Sequence, residues 1–175
     1  KLGLVLNEIS KIEKIEADTV FVSGGRVFAP ALLVWAAGVK TAAFIQDLKV
    51  EKNPQGRIKA NSYLGLNDSC FVAGDAAYFA DKDSFLRMAV QFALTEGKQA
   101  AINIIRSIKG MPLVKFNPRD LGYVIPMANN KSCGRVMGLN VKGRLPTILH
   151  FLMCIYRCRG LVHKFGLIRD LLLRR

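Results

Sequence analysis

The chain has 175 residues, about the size of one large or two small domains. Hydrophobic residues make up 51% of it and charged residues 22%, a composition that excludes the intrinsically disordered class. Its 26 Lys and Arg side chains outnumber 13 Asp and Glu, giving a net charge of +13. Such a charge admits a nucleic acid or an anionic membrane as a partner.

The positive charge is concentrated near the carboxyl terminus. Residues 111–175 contain 12 basic side chains and only two acidic ones, Asp120 and Asp170. Gly110 and Pro112 interrupt a helical pattern at the same place, so we predict a domain boundary after residue 110. Because the basic residues flank apolar helical faces and no nucleic-acid reader motif occurs, the pattern favours a lipid surface over a nucleic acid.

The sequence also indicates a cellular setting. Its four cysteines form no CxxC pair and nothing near Lys1 resembles a signal peptide, which predicts free thiols in a reducing compartment. The longest apolar stretch, Leu145–Tyr156, has 12 residues and is too short to cross a bilayer. Because Leu2–Leu6 has the pattern of a strand already under way, we expect the chain to be a fragment.

The first third is predicted to be β structure. Alternating apolar residues from Ile9, Thr19–Val22, the Gly24-Gly25 turn and Arg26–Phe28 predict a small antiparallel meander. The continuous apolar run Leu32–Trp35 predicts a strand buried on both faces. A weak helix, a turn and one or two strands are expected at 41–48, 53–56 and 57–66.

An α/β arrangement is predicted next. A buried strand over Cys70–Ala77, closed by Gly74-Asp75, precedes one long helix over Phe85–Ile108. Gly97 within this helix predicts the close approach of another backbone. Beyond Pro112, strands are expected at 121–125 and 134–141, and helices at 146–158 and 161–174.

Asp75 is the most informative single residue. A carboxylate directly after a glycine at the end of a buried strand can accept hydrogen bonds from the vicinal hydroxyls of a ribityl or ribose chain. Taken alone, Gly74-Asp75 is more typical of an N-cap or turn aspartate than of a ligand-binding one. The motifs around it therefore decide its interpretation.

These motifs form an ordered series. It consists of Val34-Trp-Ala-Ala-Gly-Val39, Gly56-Arg-Ile58, Cys70-Phe-Val-Ala-Gly-Asp-Ala-Ala77 and a helix with Gln91 and Glu96-Gly97. The series resembles the carboxy-terminal half of flavoprotein pyridine-nucleotide oxidoreductases, most closely the type II NADH:quinone dehydrogenases. The resemblance implies an α/β fragment of a flavoprotein with two dinucleotide-binding domains. Residues 1–35 would end the NADH-binding domain, 36–110 would form the carboxy-terminal part of the FAD-binding domain, and 111–175 would form a small sheet with amphipathic membrane-anchoring helices.

The resemblance also implies cofactor-binding residues. Gly74 and Asp75 would bind the ribityl chain of FAD. The backbone at Val90 and Gln91 would point the helix dipole at the flavin, where negative charge develops on reduction.

It implies NADH and quinone contacts as well. Ala37 and Gly38 would lie near the nicotinamide of NADH. Gln91 and Thr95 would be the catalytic residues in the vicinity of flavin and quinone. Members of the family usually carry Gln-x-x-x-Gln here, and Thr95 replaces the second glutamine.

Together these features predict an FAD-dependent NADH dehydrogenase that passes electrons to a quinone. It would be a peripheral protein on the cytoplasmic face of the cell membrane, with residues 145–175 on an anionic surface, and a homodimer is left open. Because no GxGxxG occurs in the 175 residues, the phosphate-binding motifs are expected upstream of Lys1. The alternative is a catalytically silent membrane-docking or protein-interaction module.

No metal site is expected from the sequence. His150, Cys154 and Cys158 recur at four-residue spacing, and one helix cannot easily wrap three ligands around one ion. The thiols are therefore interpreted as small hydrophobic side chains.

Overall fold

The computed structural model describes residues 5–30, 32–81, 84–127 and 130–173, and the side chains of Asp81 and Ser84 are not described. The chain divides into two compact units, Lys1–Val39 and Lys40–Arg175. Both α-helices and small sheets are present. The strand predicted at Leu2–Leu6 falls mostly outside the described residues.

The first unit is the predicted meander. Strands β1 (Ile12–Glu16), β2 (Thr19–Val22) and β3 (Arg26–Phe28) pair antiparallel in the order β1-β2-β3. Val20 and Val22 of the central strand are buried, as the alternation of apolar residues requires. This prediction is confirmed.

The prediction of a strand at Leu32–Trp35 is wrong. Residues 32–36 adopt no regular structure, and the Trp35 side chain is 62% exposed. A strand buried on both faces needs paired neighbours and covering layers. Within the described part of this unit, the three strands pair only among themselves.

The second unit begins with short elements. They are α1 (Ala43–Asp47), β4 (Ile58–Lys59), a 3-10 turn (Gly74–Ala76), β5 (Ala77–Tyr78), β6 (Ala80–Asp81) and β7 (Ser84–Phe85). β4 pairs parallel to β5, and β6 forms a hairpin with β7. Two small apolar clusters support them, one of Ile58, Val72 and Ala77 and one of Leu64, Phe79 and Phe116.

The long strand predicted at Cys70–Ala77 is reduced to shorter pieces. Phe71 forms a single bridge with Gly65, and the chain then turns at Gly74. Gly74 has φ +69°, a conformation that ends an extended segment and that other residues adopt only at a cost.

The long helix, α2 (Val90–Ile108), is confirmed, but it begins five residues later than predicted. Phe85 belongs instead to the β6–β7 hairpin. The buried positions of α2 recur on one face, namely Phe92, Glu96, Ala100 and Asn103. The close approach predicted at Gly97 is wrong for the described residues, because none of them outside the local helix places an atom within 4 Å of the position that a Cβ would take there.

The carboxy-terminal part contains the predicted small sheet and two helices, but the single strand predicted at 134–141 is wrong, because a turn at Met137-Gly138 divides it into two strands. Strands β8 (Gly122–Pro126), β9 (Ser132–Val136) and β10 (Leu139–Gly143) form an antiparallel sheet in the order β10-β9-β8. Helices α3 (Arg144–Arg157) and α4 (Leu161–Leu173) follow. A buried hydrogen bond of 2.7 Å between the hydroxyls of Ser132 and Thr147 ties α3 to β9.

Across the described ranges, none of the helices has both the length and the apolar character required to cross a membrane.

Candidate functional site

The Gly74–Ala76 turn presents the Asp75 carboxylate to solvent. Asp75 is exposed, whereas Ala77, directly after the turn, is fully buried. The turn packs against α2: a Cβ on Gly74 would meet the Cβ of Ala93 at 3.4 Å. The sequence motif thus forms a tight backbone turn with an outward-facing acid.

Glu96 holds the amino-terminal end of this turn. Its side chain is 1% exposed, and Oε2 accepts a hydrogen bond of 2.6 Å from the N–H of Gly74. Burial raises the pKa of Glu96, while the Gly74 N–H and the charge of Arg57 oppose that rise. A carboxylate in this place is stabilised by one backbone donor and one buried cation.

Arg57 holds the carboxyl-terminal end of the turn. Its guanidinium donates to the carbonyl of Ala77 and, over 2.8 Å, to the carbonyl of Leu86. The side chain is 2% exposed, and burial lowers the pKa of Arg57. Its Nε is buried and finds no hydrogen-bond partner among the described residues.

Glu96 and Arg57 therefore secure the segment that joins the Asp75 turn to α2. Sequence reasoning assigned a role to neither residue. A signal was present, because Glu96 lies between Phe92 and Ala100 on the buried helical face, and Arg57 directly precedes the buried Ile58. A charge at an otherwise apolar position is informative, since charges are almost never fully buried without partners.

The start of α2 contains the other predicted flavin contacts. Val90, its first residue, is exposed, and no side chain caps the helix. Gln91 donates from Nε2 to Asp120 Oδ1 over 3.0 Å and to the Gly122 carbonyl over 2.9 Å. The Thr95 hydroxyl bonds to the Gln91 carbonyl at 3.0 Å, so the two side chains lie one turn apart.

Arg87 connects this end of α2 to the small sheet. It forms a two-pronged ion pair with Asp120, at 2.5 and 2.9 Å, and donates to the Gly122 carbonyl over 2.8 Å. Its guanidinium lies 5.2 Å from the centre of the Phe92 ring and 5.3 Å from that of Tyr123. The hydrogen bond from Arg87 lowers the pKa of Asp120 to about 2.

This pair gives stability a defined pH dependence. Because the folded pKa of Asp120 lies below its ordinary 3.8, the stabilisation is present above about pH 4 and is lost as pH falls toward 2. Both side chains are more than one third exposed, so solvent screening limits the effect to about 1 kcal/mol. Urea unfolding of the wild type and Asp120→Asn over this range measures it; parallel pH curves would contradict the assignment.

Ala37 and Gly38 lie in the first unit, in exposed irregular chain, with Gly38 at φ +111°.

On α3, Cys154 Sγ lies 3.6 Å from His150 Nε2, and all four cysteines are free thiols.

Comparisons with known proteins agree on a class of oxidoreductase. An NADH dehydrogenase-like protein of Mycobacterium tuberculosis is 31% identical over 106 residues, covering 59% of this chain and 26% of that protein. A type II NADH:quinone oxidoreductase of Haemophilus influenzae is 27% identical over 138 residues, 77% of this chain and 31% of its own length. A demethylphylloquinone reductase of Synechocystis is 23% identical over 129 residues, 72% of this chain and 32% of its own length.

The resemblance to NADH dehydrogenase-like and type II NADH:quinone oxidoreductases is thus confirmed. The match to these relatives spans about a quarter to a third of their length. No protein-family profile matches the chain.

Proposed function

We propose that this chain is part of a flavoenzyme that passes electrons from NADH through FAD to a quinone. The observation that carries the proposal is the Asp75 turn, an exposed carboxylate held against α2 by a partly buried hydrogen bond from Gly74 to Glu96. Carboxylate oxygens accept from hydroxyl groups, and an ionised acceptor strengthens such hydrogen bonds. The similarity to NADH dehydrogenase-like proteins supports the same conclusion.

The residues present fit one part of FAD. In the proposal, Asp75 accepts from the ribityl hydroxyls, and Gly74 allows the backbone to turn there at φ +69°. The uncapped start of α2, at Val90 and Gln91, offers the positive end of a helix dipole to the flavin. Since no GxGxxG occurs in the 175 residues, the chain's proposed share is the ribityl chain and the flavin edge.

Two further contacts belong to the proposal. Ala37 and Gly38 would line the nicotinamide side, and Gln91 with Thr95 the side where quinone approaches. FAD, when bound, would supply the two-electron chemistry between these substrates.

In the full-length natural protein, Thr95→Val should change the kinetic constants for quinone more than the rate of NADH oxidation by a soluble dye. Equal changes in both would contradict the role of Thr95 on the quinone side.

The test is Asp75→Ala in the full-length natural protein. We expect FAD affinity to fall at least about tenfold, because a hydrogen bond to a charged acceptor contributes about 1.5–3 kcal/mol. Flavin absorbance per protein after purification and a titration of the apoprotein with FAD measure the change.

The control is Asp68→Ala, which removes an exposed carboxylate of the same charge from the loop before the turn. It should retain FAD like the wild type. If Asp75→Ala also retains FAD at the wild-type level, the assignment of Asp75 fails.

We further propose that residues 145–175 rest on an anionic membrane at its cytoplasmic face. The supporting observation is an exposed apolar series along α3 and α4: Leu145, Ile148, Leu149, Leu152, Phe165, Ile168 and Leu172. Arg144, Arg157, Arg159 and Arg169 lie among them, the pattern of a helix on charged lipid. A homodimer would be compatible with this arrangement.

Vesicle sedimentation separates this proposal from its alternatives. We expect the protein to bind vesicles that contain phosphatidylserine and to bind neutral vesicles more weakly, since lipid charge adds to apolar burial. A double substitution of Leu149 and Leu152 by Glu should abolish binding. Vesicle binding by a protein that never retains FAD would favour the catalytically silent docking module, and failure to bind either vesicle would contradict the membrane proposal.

A further inference from the structure

We propose that Glu96 and Arg57 are positioning residues that hold the Asp75 carboxylate in place for the ribityl hydroxyls of FAD. This inference rests on the proposed function and assigns a part in it to two buried side chains. Neither makes a hydrogen bond to Asp75 itself. They act through the backbone on the two sides of that residue, and their charges also reach Asp75, which Arg57 attracts and Glu96 repels.

The first anchor lies immediately before Asp75. Glu96 Oε2 accepts the N–H of Gly74 at 2.6 Å, and Gly74 is the residue whose positive φ sets the direction of the turn. Because Glu96 lies in the second turn of α2, the helix and the Asp75 turn are fixed to each other. The start of the same helix provides the other proposed flavin contact, so this hydrogen bond sets the spacing between two parts of one site.

The second anchor lies just after Asp75. Arg57 donates to the carbonyl of Ala77 and also to that of Leu86, which precedes α2. The guanidinium of Arg57, the residue before β4, therefore binds both ends of the segment 77–86. A peptide group on either side of Asp75 is bound by a buried charge.

The chemistry of these side chains is unusual for a merely structural contact. Burying opposite charges is often no more stabilising than burying apolar residues of similar volume. On the same face of α2, the buried polar side chain of Asn103 is uncharged. Its amide forms hydrogen bonds with the backbone of Tyr63 and Val114. Among the buried side chains of the described residues, only Glu96 and Arg57 are charged, and both lie beside the Asp75 turn.

The experiment is a double-mutant cycle of Glu96→Ala and Asp75→Ala, read as FAD affinity of the full-length natural apoprotein. Glu96→Ala should weaken FAD binding by about tenfold, the equivalent of one charge-assisted hydrogen bond. In the Asp75→Ala background it should change affinity by less than about twofold, because the group that it positions is gone. Glu96→Gln, whose amide oxygen can still accept the Gly74 N–H, should restore most of the affinity.

The matched control is Asn103→Ala, which removes an equally buried polar side chain from the same helical face. It should lower stability and leave FAD affinity within about twofold of wild type. Hydrogen exchange at the Gly74 amide gives a readout without FAD, and it should accelerate in Glu96→Ala but not in Asn103→Ala.

The outcomes separate this inference from the proposed function. Equal effects of Glu96→Ala in both backgrounds, or unchanged exchange at Gly74, would overturn the positioning role while the FAD proposal stands. A wild-type protein that does not bind FAD would overturn both.

Discussion

Replacing Arg57 by Met is expected to lower the free energy of unfolding by about 3–5 kcal/mol at neutral pH. The substitution removes the buried cation whose charge favours the Glu96 carboxylate, and it deprives the carbonyls of Ala77 and Leu86 of a donor. The loss should shrink in acid, since a protonated Glu96 has no charge left to compensate. Urea unfolding followed by circular dichroism measures the change.

Two comparisons make this prediction specific. Arg106→Met removes an arginine in the last turn of α2 that is only half buried and donates to the Pro112 carbonyl. It should lower the free energy of unfolding by about 1 kcal/mol. The double variant Arg57→Met/Glu96→Gln should be less destabilised than the sum of its parts, because the charges are removed together. A loss no larger than that of Arg106→Met would contradict the importance of the buried charge.

Gly122→Ala should destabilise the carboxy-terminal sheet by about 2–5 kcal/mol. A Cβ at this position would lie 2.7 Å from the carbonyl carbon of Arg135 and 2.9 Å from the Cα of Val136. Both are backbone atoms of the paired strand β9, so no flexible side chain can move aside. The residue also has φ +98°, which an alanine adopts only with strain. Denaturant unfolding, with hydrogen exchange at the β8–β9 amides, locates the loss.

Two other glycines serve as controls for the two causes. Gly138 has φ +87° with open space around its Cβ position, so Gly138→Ala reports backbone strain alone, about 1 kcal/mol. Gly97 lies in α2 with open space and no positive φ, and Gly97→Ala should stabilise the protein by about 0.5–1 kcal/mol. If Gly122→Ala costs no more than Gly138→Ala, the steric argument fails.

Local signals predicted most of the regular elements. Alternating apolar residues and the Gly24-Gly25 turn were sufficient for the β1–β3 meander, because hairpin pairing depends on neighbours in sequence. The helical periodicity of α2, α3 and α4 was equally informative, with errors of a few residues at the ends. The start of α2 was misplaced because the apolar residue Phe85 suits a helix as well as the hairpin that contains it.

Features that depend on distant partners were harder to predict. Leu32–Trp35 has the composition of a buried strand, but burial requires covering elements that sequence periodicity cannot supply. For the same reason, the sequence could not show whether Gly97 or Gly122 meets another backbone. Among the described residues, the structure leaves space for a Cβ at Gly97 and none at Gly122.

The candidate site likewise combines a local feature with contacts between distant residues. The Gly74-Asp75 turn is local, because a glycine that accepts positive φ and the acid beside it are adjacent in the chain. The sequence by itself therefore determined where that acid would be. It also determined the charge of the carboxy-terminal helices. The tertiary structure alone decided what holds Asp75, because Glu96 and Arg57 reach the turn from 22 and 20 residues away. Contacts of that separation arise only when the helix and the β4 segment pack together, and packing is not encoded in any short stretch of sequence.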